Sequence, residues 1–182
     1  MINKQTEKCL LQAARDSVNH YILNNQLIQT KNLLLSRDPI LHSKQGVFVT
    51  IMLDGKLRGC VGSVSSNSTI IDQVVTHSVD AAVNDSRFKP LTLIDSGRVT
   101  YEISVITKPI EVMSSDQIQL TKHGIIISKN NKRAVFLPKV ARQNNWDLKT
   151  TMTRLCLKAG LGAEDWKQHA RVAVFEAIEF KE

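Results

Sequence analysis

The stretch that decides the fold reads Gly46-Val-Phe-Val-Thr-Ile-Met-Leu53, Asp54-Gly55, Lys56-Leu-Arg-Gly-Cys-Val-Gly62. Asp54-Gly55 separates two β-prone runs, and the favoured two-residue hairpin turn needs positive φ at both of its central positions. The stretch therefore predicts a β-hairpin. If its second strand is regular, one face carries Arg58, Cys60 and Gly62, and the other face carries Leu57, Gly59 and Val61.

The second strand of this hairpin joins a cation, a thiol and two glycines within the six residues 57–62. Glycine inside a strand removes side chains that could pack, so it usually marks a bulge or a place where something approaches the backbone closely. We therefore expect a functional surface here, with Arg58, Gly59 and Gly62 as its ligand-binding residues.

Length and composition place the chain among ordinary globular proteins. Its 182 residues suffice for one compact domain over 1–182, which could carry a smaller inserted lobe. No apolar run approaches the roughly 20 residues of a membrane helix, and the first residues lack the apolar core of a signal peptide. We expect a cytoplasmic protein that does not enter membranes.

The net charge of +7 would suit an anionic partner. The basic residues are scattered along the sequence, however, and their densest group, Lys129 to Arg133, falls on a predicted hairpin tip, where solvated charge is the simpler interpretation. Nucleic acid is therefore not the expected partner.

The three cysteines are Cys9, Cys60 and Cys156, an odd number without paired spacing. This pattern argues against a disulfide framework and against a zinc knuckle. Cys9 and Cys156 lie on the apolar faces of predicted helices, where a buried structural thiol is the usual outcome. Cys60 is the thiol that packing does not readily explain.

The rest of the chain predicts an α+β fold, with a largely antiparallel or mixed sheet covered by helices. Glu102 lies inside one of the predicted strands, and His123 stands at the entrance of a second hairpin. The predicted elements are a helix over 6–23, an irregular segment over 24–45, a helix over 70–82 capped from Ser65–Ser68, a strand over 99–107, a hairpin over 125–137, a helix capped by Asp147 and a closing strand over 171–180.

Seven short motifs in this order resemble the AMMECR domain family, especially its prokaryotic members called AmmeMemoRadiSam system protein A. The motifs are Leu57-Arg-Gly-Cys-Val-Gly62, Asp85-Ser-Arg-Phe-Lys-Pro-Leu91, Glu102-Ile-Ser-Val-Ile106, His123-Gly124, Leu137-Pro-Lys-Val-Ala141, Trp146-Asp147 and Lys158-Ala-Gly-Leu161. Two positions depart from the family pattern: Ser86 replaces a proline, which should loosen that turn, and Lys139 replaces a glutamine.

The resemblance implies a two-lobed α+β fold with the Arg-Gly-Cys motif in a cleft. It also implies a functional association with a Memo-like protein and a radical S-adenosylmethionine enzyme. The chain itself has no Cys-x3-Cys-x2-Cys motif, so the resemblance does not make it the radical enzyme.

The enzymatic hypothesis assigns Cys60 as nucleophile, His123 as its base or imidazolium partner, and Glu102 as orienter or acid, with Arg58 holding an anionic group. Each residue also has a structural interpretation: Cys60 as a gap filler, Arg58 with Glu102 as an ion pair, and His123 as a turn cap. A metal site of Cys60, Glu102 and His123 is possible by ligand type, but the sequence shows no ligand spacing, so neither metal nor cofactor is expected. The other histidines, His20, His42, His77 and His169, lie in no motif.

A second class of function is a non-catalytic adaptor or ligand-binding module, in which the same glycine-rich cleft grips a small molecule, a peptide or a protein partner. The sequence leaves open whether the protein is an enzyme.

Overall fold

The structure, a computed structural model, describes residues 2–168 and 170–182. The chain forms two compact units, the first from Met1–Ile106 with Ile178–Glu182 and the second from Thr107–Ala177. The second unit is therefore inserted within the sequence of the first. Each unit has its own four-stranded sheet and its own apolar core.

The elements are, in chain order, α1 (Lys4–Asn24), β1 (Gly46–Leu53), β2 (Lys56–Ser63), α2 (Ile70–Val79), β3 (Val99–Ile106), β4 (Ile110–Val112), β5 (Gly124–Lys129), β6 (Lys132–Phe136), α3 (Pro138–Asn144), α4 (Leu148–Lys158), β7 (Arg171–Phe175) and β8 (Ala177–Lys181). A π-helical turn over Asp80–Asn84 extends α2. Among the described residues, no helix has the length and apolar character to cross a membrane.

In the first unit the strand order is β2-β1-β3-β8, and β1 pairs antiparallel with both β2 and β3. Helices α1 and α2 cover one face of this sheet, where Val49, Ile51 and Ile103 are fully buried. The predicted alternation of β3 is confirmed, because Val99, Tyr101, Ile103 and Val105 all belong to this core. The sheet's other face carries the even-numbered residues of β1 and β3.

The predicted first hairpin is confirmed. Asp54 and Gly55 have φ of 49° and 75°, as its turn requires. The second strand is not regular, however: Ile51 pairs with Gly59 and Met52 pairs with Leu57, which leaves Arg58 as the extra residue of a β-bulge. Leu57 therefore lies on the same face as Cys60, and the prediction that it shares a face with Gly59 is wrong.

In the second unit the strand order is β4-β7-β5-β6. The predicted hairpin is formed by β5 and β6, with Asn130 and Asn131 both at positive φ in its turn. Asp147 caps α4 as predicted, since its Oδ1 accepts from the Thr150 N–H at 2.7 Å. Helix α4 packs against one face of the sheet, where its buried residues Met152, Leu155 and Cys156 join the core.

Two sequence-based boundaries are corrected. The single closing strand predicted over 171–180 is two strands, β7 in the second sheet and β8 in the first, separated by Glu176. The Glu176 N–H donates to Thr107 Oγ1 and the Thr107 N–H donates to the Glu176 carbonyl, both at 2.9 Å, so the strand ends where the chain turns from one sheet to the other. Helix α2 is capped by Thr69 rather than from Ser65–Ser68.

Candidate functional site

Cys60 and Glu102 lie in one row across the first sheet, on either side of Thr50. Thr50 is the register partner of Cys60 on β2 and of Glu102 on β3. Directly opposed residues of antiparallel strands point to the same face, so all three side chains lie on the face opposite the helices. Glu102 is half-buried and has an interaction partner.

The Cys60 thiol is in contact with a hydroxyl. Thr50 Oγ1 donates to Cys60 Sγ at 3.3 Å, and Thr50 is itself buried. Cys60 is half-buried, whereas Cys9 and Cys156 are 8% and 0% exposed and belong to the two cores, as predicted. Burial raises the pKa of the Cys156 thiol. Cys60 is therefore the accessible thiol of the three.

The main chain of Cys60 is held from outside the sheet. Strand β2 is an edge strand, and the Cys60 N–H points away from β1 and donates to Asp85 Oδ2 at 2.9 Å. Arg87 Nη2 donates to the Cys60 carbonyl at 3.4 Å. The two side chains thus satisfy the main-chain N–H and carbonyl of Cys60, which an edge strand would otherwise leave unpaired. Since Cys60 directs its main-chain groups outward, Thr50 and Cys60 form a non-hydrogen-bonded pair, the arrangement that brings opposed side chains closest.

Asp85 and Arg87 form a two-point ion pair. Arg87 Nε donates to Asp85 Oδ1 at 2.9 Å and Arg87 Nη2 donates to Asp85 Oδ2 at 2.6 Å. The Asp85 side chain is only 6% exposed. The Arg87 hydrogen bonds hold the pKa of Asp85 far below its usual range, and Asp85 in turn raises the pKa of Arg87. The turn remains ordered with Ser86 in place of proline, because the Phe88 N–H donates to the Asp85 carbonyl at 3.0 Å.

Two guanidinium groups share the ring of Phe88. Arg58 Cζ lies 5.8 Å from the ring centroid and Arg87 Cζ lies 5.3 Å from it, both within the range of cation–π interaction. Arg58 is half-buried, and among the described residues its side chain makes no hydrogen bond, so its planar N–H donors can bind a carboxylate or phosphate. Its charge also acts on Asp95, whose pKa is lowered first by hydrogen bonds with Thr92 and further by Arg58. Two cationic side chains therefore lie against the Phe88 ring, beside the Cys60 main chain.

Both glycines of the motif are required by close approaches within the first unit. A Cβ on Gly59 would overlap the Ala81 carbonyl oxygen of the π-helical turn, and a Cβ on Gly62 would overlap Phe48 and the Val47 carbonyl. The close approach that the sequence predicts at Gly59 is therefore made by the protein's own backbone.

His123 lies in the second unit, in the turn before β5. The ring Nδ1 of His123 accepts from the Gln119 main-chain N–H at 3.1 Å, and the main-chain N–H of His123 donates to the Gln119 carbonyl at 2.7 Å. This geometry leaves Nε2 as the ring nitrogen that carries the proton of the neutral imidazole. No group of three or more His, Cys, Asp or Glu among the described residues is arranged to hold a metal ion. Burial lowers the pKa of His77, and His169 lies outside the described residues.

Sequence reasoning did not include Thr50, Asp85 and Arg87 among the site residues. The signal for Asp85 and Arg87 was present in the motif Asp85-Ser-Arg-Phe88, whose acid and cation are two residues apart and share one turn. Thr50 had no such signal, because its role depends on the register of three strands.

Comparison with known proteins identifies the family. The sequence profile of the AMMECR1 family matches residues 11–180. The chain belongs to the AMMECR1 family. Among similar AMMECR1 relatives, the protein Mbar_A1807 of Methanosarcina barkeri is 29% identical over 187 residues, which cover 100% of this chain and 93% of that protein. The protein TV1384 of Thermoplasma volcanium is 36% identical over 153 residues, 80% of this chain and 76% of that protein.

A solved structure shows the same AMMECR1 architecture. The crystal structure of the uncharacterized protein PH0010 from Pyrococcus horikoshii superposes with a TM-score of 0.92 at 27% identity, covering 100% of this chain and 93% of that one. The predicted α+β fold is confirmed, and both of its sheets contain antiparallel pairs.

Proposed function

We propose that the surface formed by Arg58, Cys60, Arg87 and Phe88, here called the thiol surface, binds a small ligand with an anionic group and that Cys60 acts on it as a nucleophile. The observation that carries the proposal is the position of Cys60, a half-buried thiol whose Sγ accepts from Thr50 and whose main chain is held by Asp85 and Arg87.

Each neighbour of Cys60 has a defined role in this proposal. The Thr50 hydroxyl donates to the sulfur and so stabilises negative charge on it. Arg58, whose side chain makes no hydrogen bond among the described residues, supplies the N–H donors for the ligand's anionic group. Asp85 and Arg87 are positioning residues, because they fix the strand edge on which Cys60 stands.

In the nucleophilic step Cys60 Sγ adds to an electrophilic carbonyl carbon of the ligand. The S–C bond forms as the π bond of the carbonyl breaks, and the π electron pair moves onto the carbonyl oxygen. The thiol proton passes to a base before the bond forms, since the thiolate is the reactive species. Glu102, in the same row of the sheet as Cys60, is proposed as orienter or acid. The assignment of His123 as the base stays a prediction from the sequence. Through the family association, Memo-like and radical S-adenosylmethionine proteins are the proposed pathway partners.

Selective alkylation tests the proposal. The native protein is treated with iodoacetamide near neutral pH, and mass spectrometry follows modification of peptides containing Cys9, Cys60 and Cys156. We expect Cys60 to react first, and its rate to fall in Arg87→Gln and in His123→Ala. An unreactive Cys60, or a rate that none of these variants changes, would contradict the nucleophile.

A second experiment distinguishes catalysis from an adaptor role. Cys60→Ser removes the nucleophile and leaves a side chain of similar size. If the variant retains a copurifying Memo-like or radical S-adenosylmethionine protein but loses the pathway product, the thiol has a chemical role. If the variant retains both the partner and the product, the protein is an adaptor that uses the same surface, and the proposal fails.

A further inference from the structure

The positive charge of the protein is concentrated in its second unit. Residues 107–177 contain twelve Lys and Arg against six Asp and Glu, whereas the first unit contains twelve against eleven. Of the net charge of +7, +6 therefore belongs to the second unit. The basic residues that look scattered in the sequence are unevenly divided between the two units, and this asymmetry points to an anionic partner for the second one.

Two arginines of this unit flank a serine in one row of the sheet. Ser128 on β5 is the register partner of Arg133 on β6 and of Arg171 on β7. The three side chains, here called the arginine row, therefore lie on one face of the sheet, opposite the face that packs on α4. With neighbouring strands about 4.8 Å apart, the two arginine backbones are separated by about 10 Å, a span that their long side chains can bridge above Ser128.

A groove runs along this face beside the arginine row. It has a volume of about 400 Å³, within the usual range for small-molecule sites, and Arg133, Arg171 and Ser128 line it. Its apolar side chains are those of Pro109, Ile126 and Ala173. The groove therefore combines an apolar wall with two guanidinium groups.

The two arginines differ in their bonding. Arg171 is held by Glu111, with Nε donating to Oε1 at 2.9 Å and Nη2 donating to Oε2 at 3.1 Å. Arg133 is exposed, and among the described residues its side chain has no hydrogen-bond or ion-pair partner. Glu111 also lines the groove, so its carboxylate occupies the fork of Arg171 that an anionic ligand would use.

We propose that this groove is a second ligand site, for a small molecule with an apolar body and a terminal oxyanion such as a phosphate or carboxylate. The oxyanion binds Arg133 and Ser128 and displaces Glu111 from Arg171, while the apolar body lies along Ile126 and Ala173. The finite groove and its apolar wall favour a small molecule over a nucleic acid, which needs an extended track of cations.

Calorimetric titration at fixed low ionic strength tests the site with three probes: 1-naphthyl phosphate, 1-naphthol and inorganic phosphate. The first has both the apolar body and the oxyanion, and each of the others has one of them. We expect 1-naphthyl phosphate to bind at least about tenfold more tightly than either fragment, since the apolar contact and the charge-assisted hydrogen bonds both contribute. Equal affinity for 1-naphthol and 1-naphthyl phosphate would overturn the oxyanion assignment.

Paired variants separate this site from general electrostatic attraction. Arg133→Gln should weaken 1-naphthyl phosphate about tenfold, whereas Arg154→Gln, which removes an exposed arginine on α4, should leave it unchanged. Glu111→Gln should strengthen binding several-fold because it frees Arg171, whereas Glu164→Gln, which breaks the ion pair with Lys167, should not. All four residues are exposed, so their replacement leaves the core intact. Equal effects within each pair would overturn the proposal.

Discussion

The Cys60 N–H donates to Asp85 Oδ2 at 2.9 Å across the free edge of β2. These two residues are 25 positions apart in the sequence, and the hydrogen bond between them joins two separate motifs. An edge strand usually exposes unpaired N–H and carbonyl groups, and here the turn that begins at Asp85 satisfies them at the thiol itself. The orientation of Cys60 therefore depends on Asp85 as well as on its own strand.

Gly59→Ala is expected to destabilise the protein strongly. The added Cβ would overlap the Ala81 carbonyl oxygen, which belongs to backbone that cannot rotate away. We expect a loss of about 3 kcal/mol or more in the free energy of unfolding, measured by urea denaturation. The control is Gly97→Ala, where the added Cβ meets no atom within 4 Å. An equal, small effect of both substitutions would show that the close approach at Gly59 is absent.

Asp85→Asn is expected to change how stability depends on pH. Because its folded pKa lies below its unfolded one, the Asp85 carboxylate stabilises the fold above about pH 4, and this contribution is lost as pH falls further. The variant should lose about 1–3 kcal/mol at pH 7 and show less further loss on acidification than the native protein. Denaturation curves between pH 7 and pH 3 measure both effects.

The matched control for Asp85 is Asp16→Asn. The Asp16 carboxylate accepts a hydrogen bond from Gln12, and no cation donates to it among the described residues. Its replacement should change stability at pH 7 by less than about 0.5 kcal/mol. If both variants lose the same stability, the ion pair with Arg87 contributes nothing.

Thr50→Val should slow alkylation of Cys60 without unfolding the protein. Valine preserves the shape of the side chain but removes the hydroxyl that donates to Sγ. Since that donor stabilises negative charge on sulfur, we expect the iodoacetamide rate of Cys60 to fall several-fold. The control is Thr100→Val, because Thr100 is an exposed threonine on β3. An unchanged rate in Thr50→Val would remove the hydroxyl from the proposed chemistry.

Tyr101→Phe should leave the protein as stable as before, or more stable, at pH 7. The Tyr101 ring is 1% exposed, and among the described residues its hydroxyl has no hydrogen-bond partner. Burial raises the pKa of Tyr101, so above about pH 10, where the unfolded tyrosine ionises, the native protein should lose stability relative to the variant. Thermal unfolding at pH 7 and pH 10.5 measures both, and a destabilised variant at pH 7 would indicate that the hydroxyl has a partner.

Much of the local structure follows from the sequence because its causes are local. Asp54-Gly55 and Asn130-Asn131 adopt the positive φ that their hairpins need, and Asp147 caps α4 through its own side chain. The alternation along β3 places Tyr101 and Ile103 in the core. In each case the residues that determine the turn, cap or strand lie within a few positions of it in the sequence.

The sequence by itself determined the two hairpins, the main helices and the family, because periodicity, turn chemistry and short motifs act over short distances. The tertiary structure alone decided that Arg58 forms a bulge, that residues 171–180 divide between two sheets and that Thr50 donates to Cys60. It also decided that Gly59 faces the Ala81 carbonyl and that the charge gathers in the second unit. These features depend on strand register and on contacts between distant segments, which no local pattern encodes.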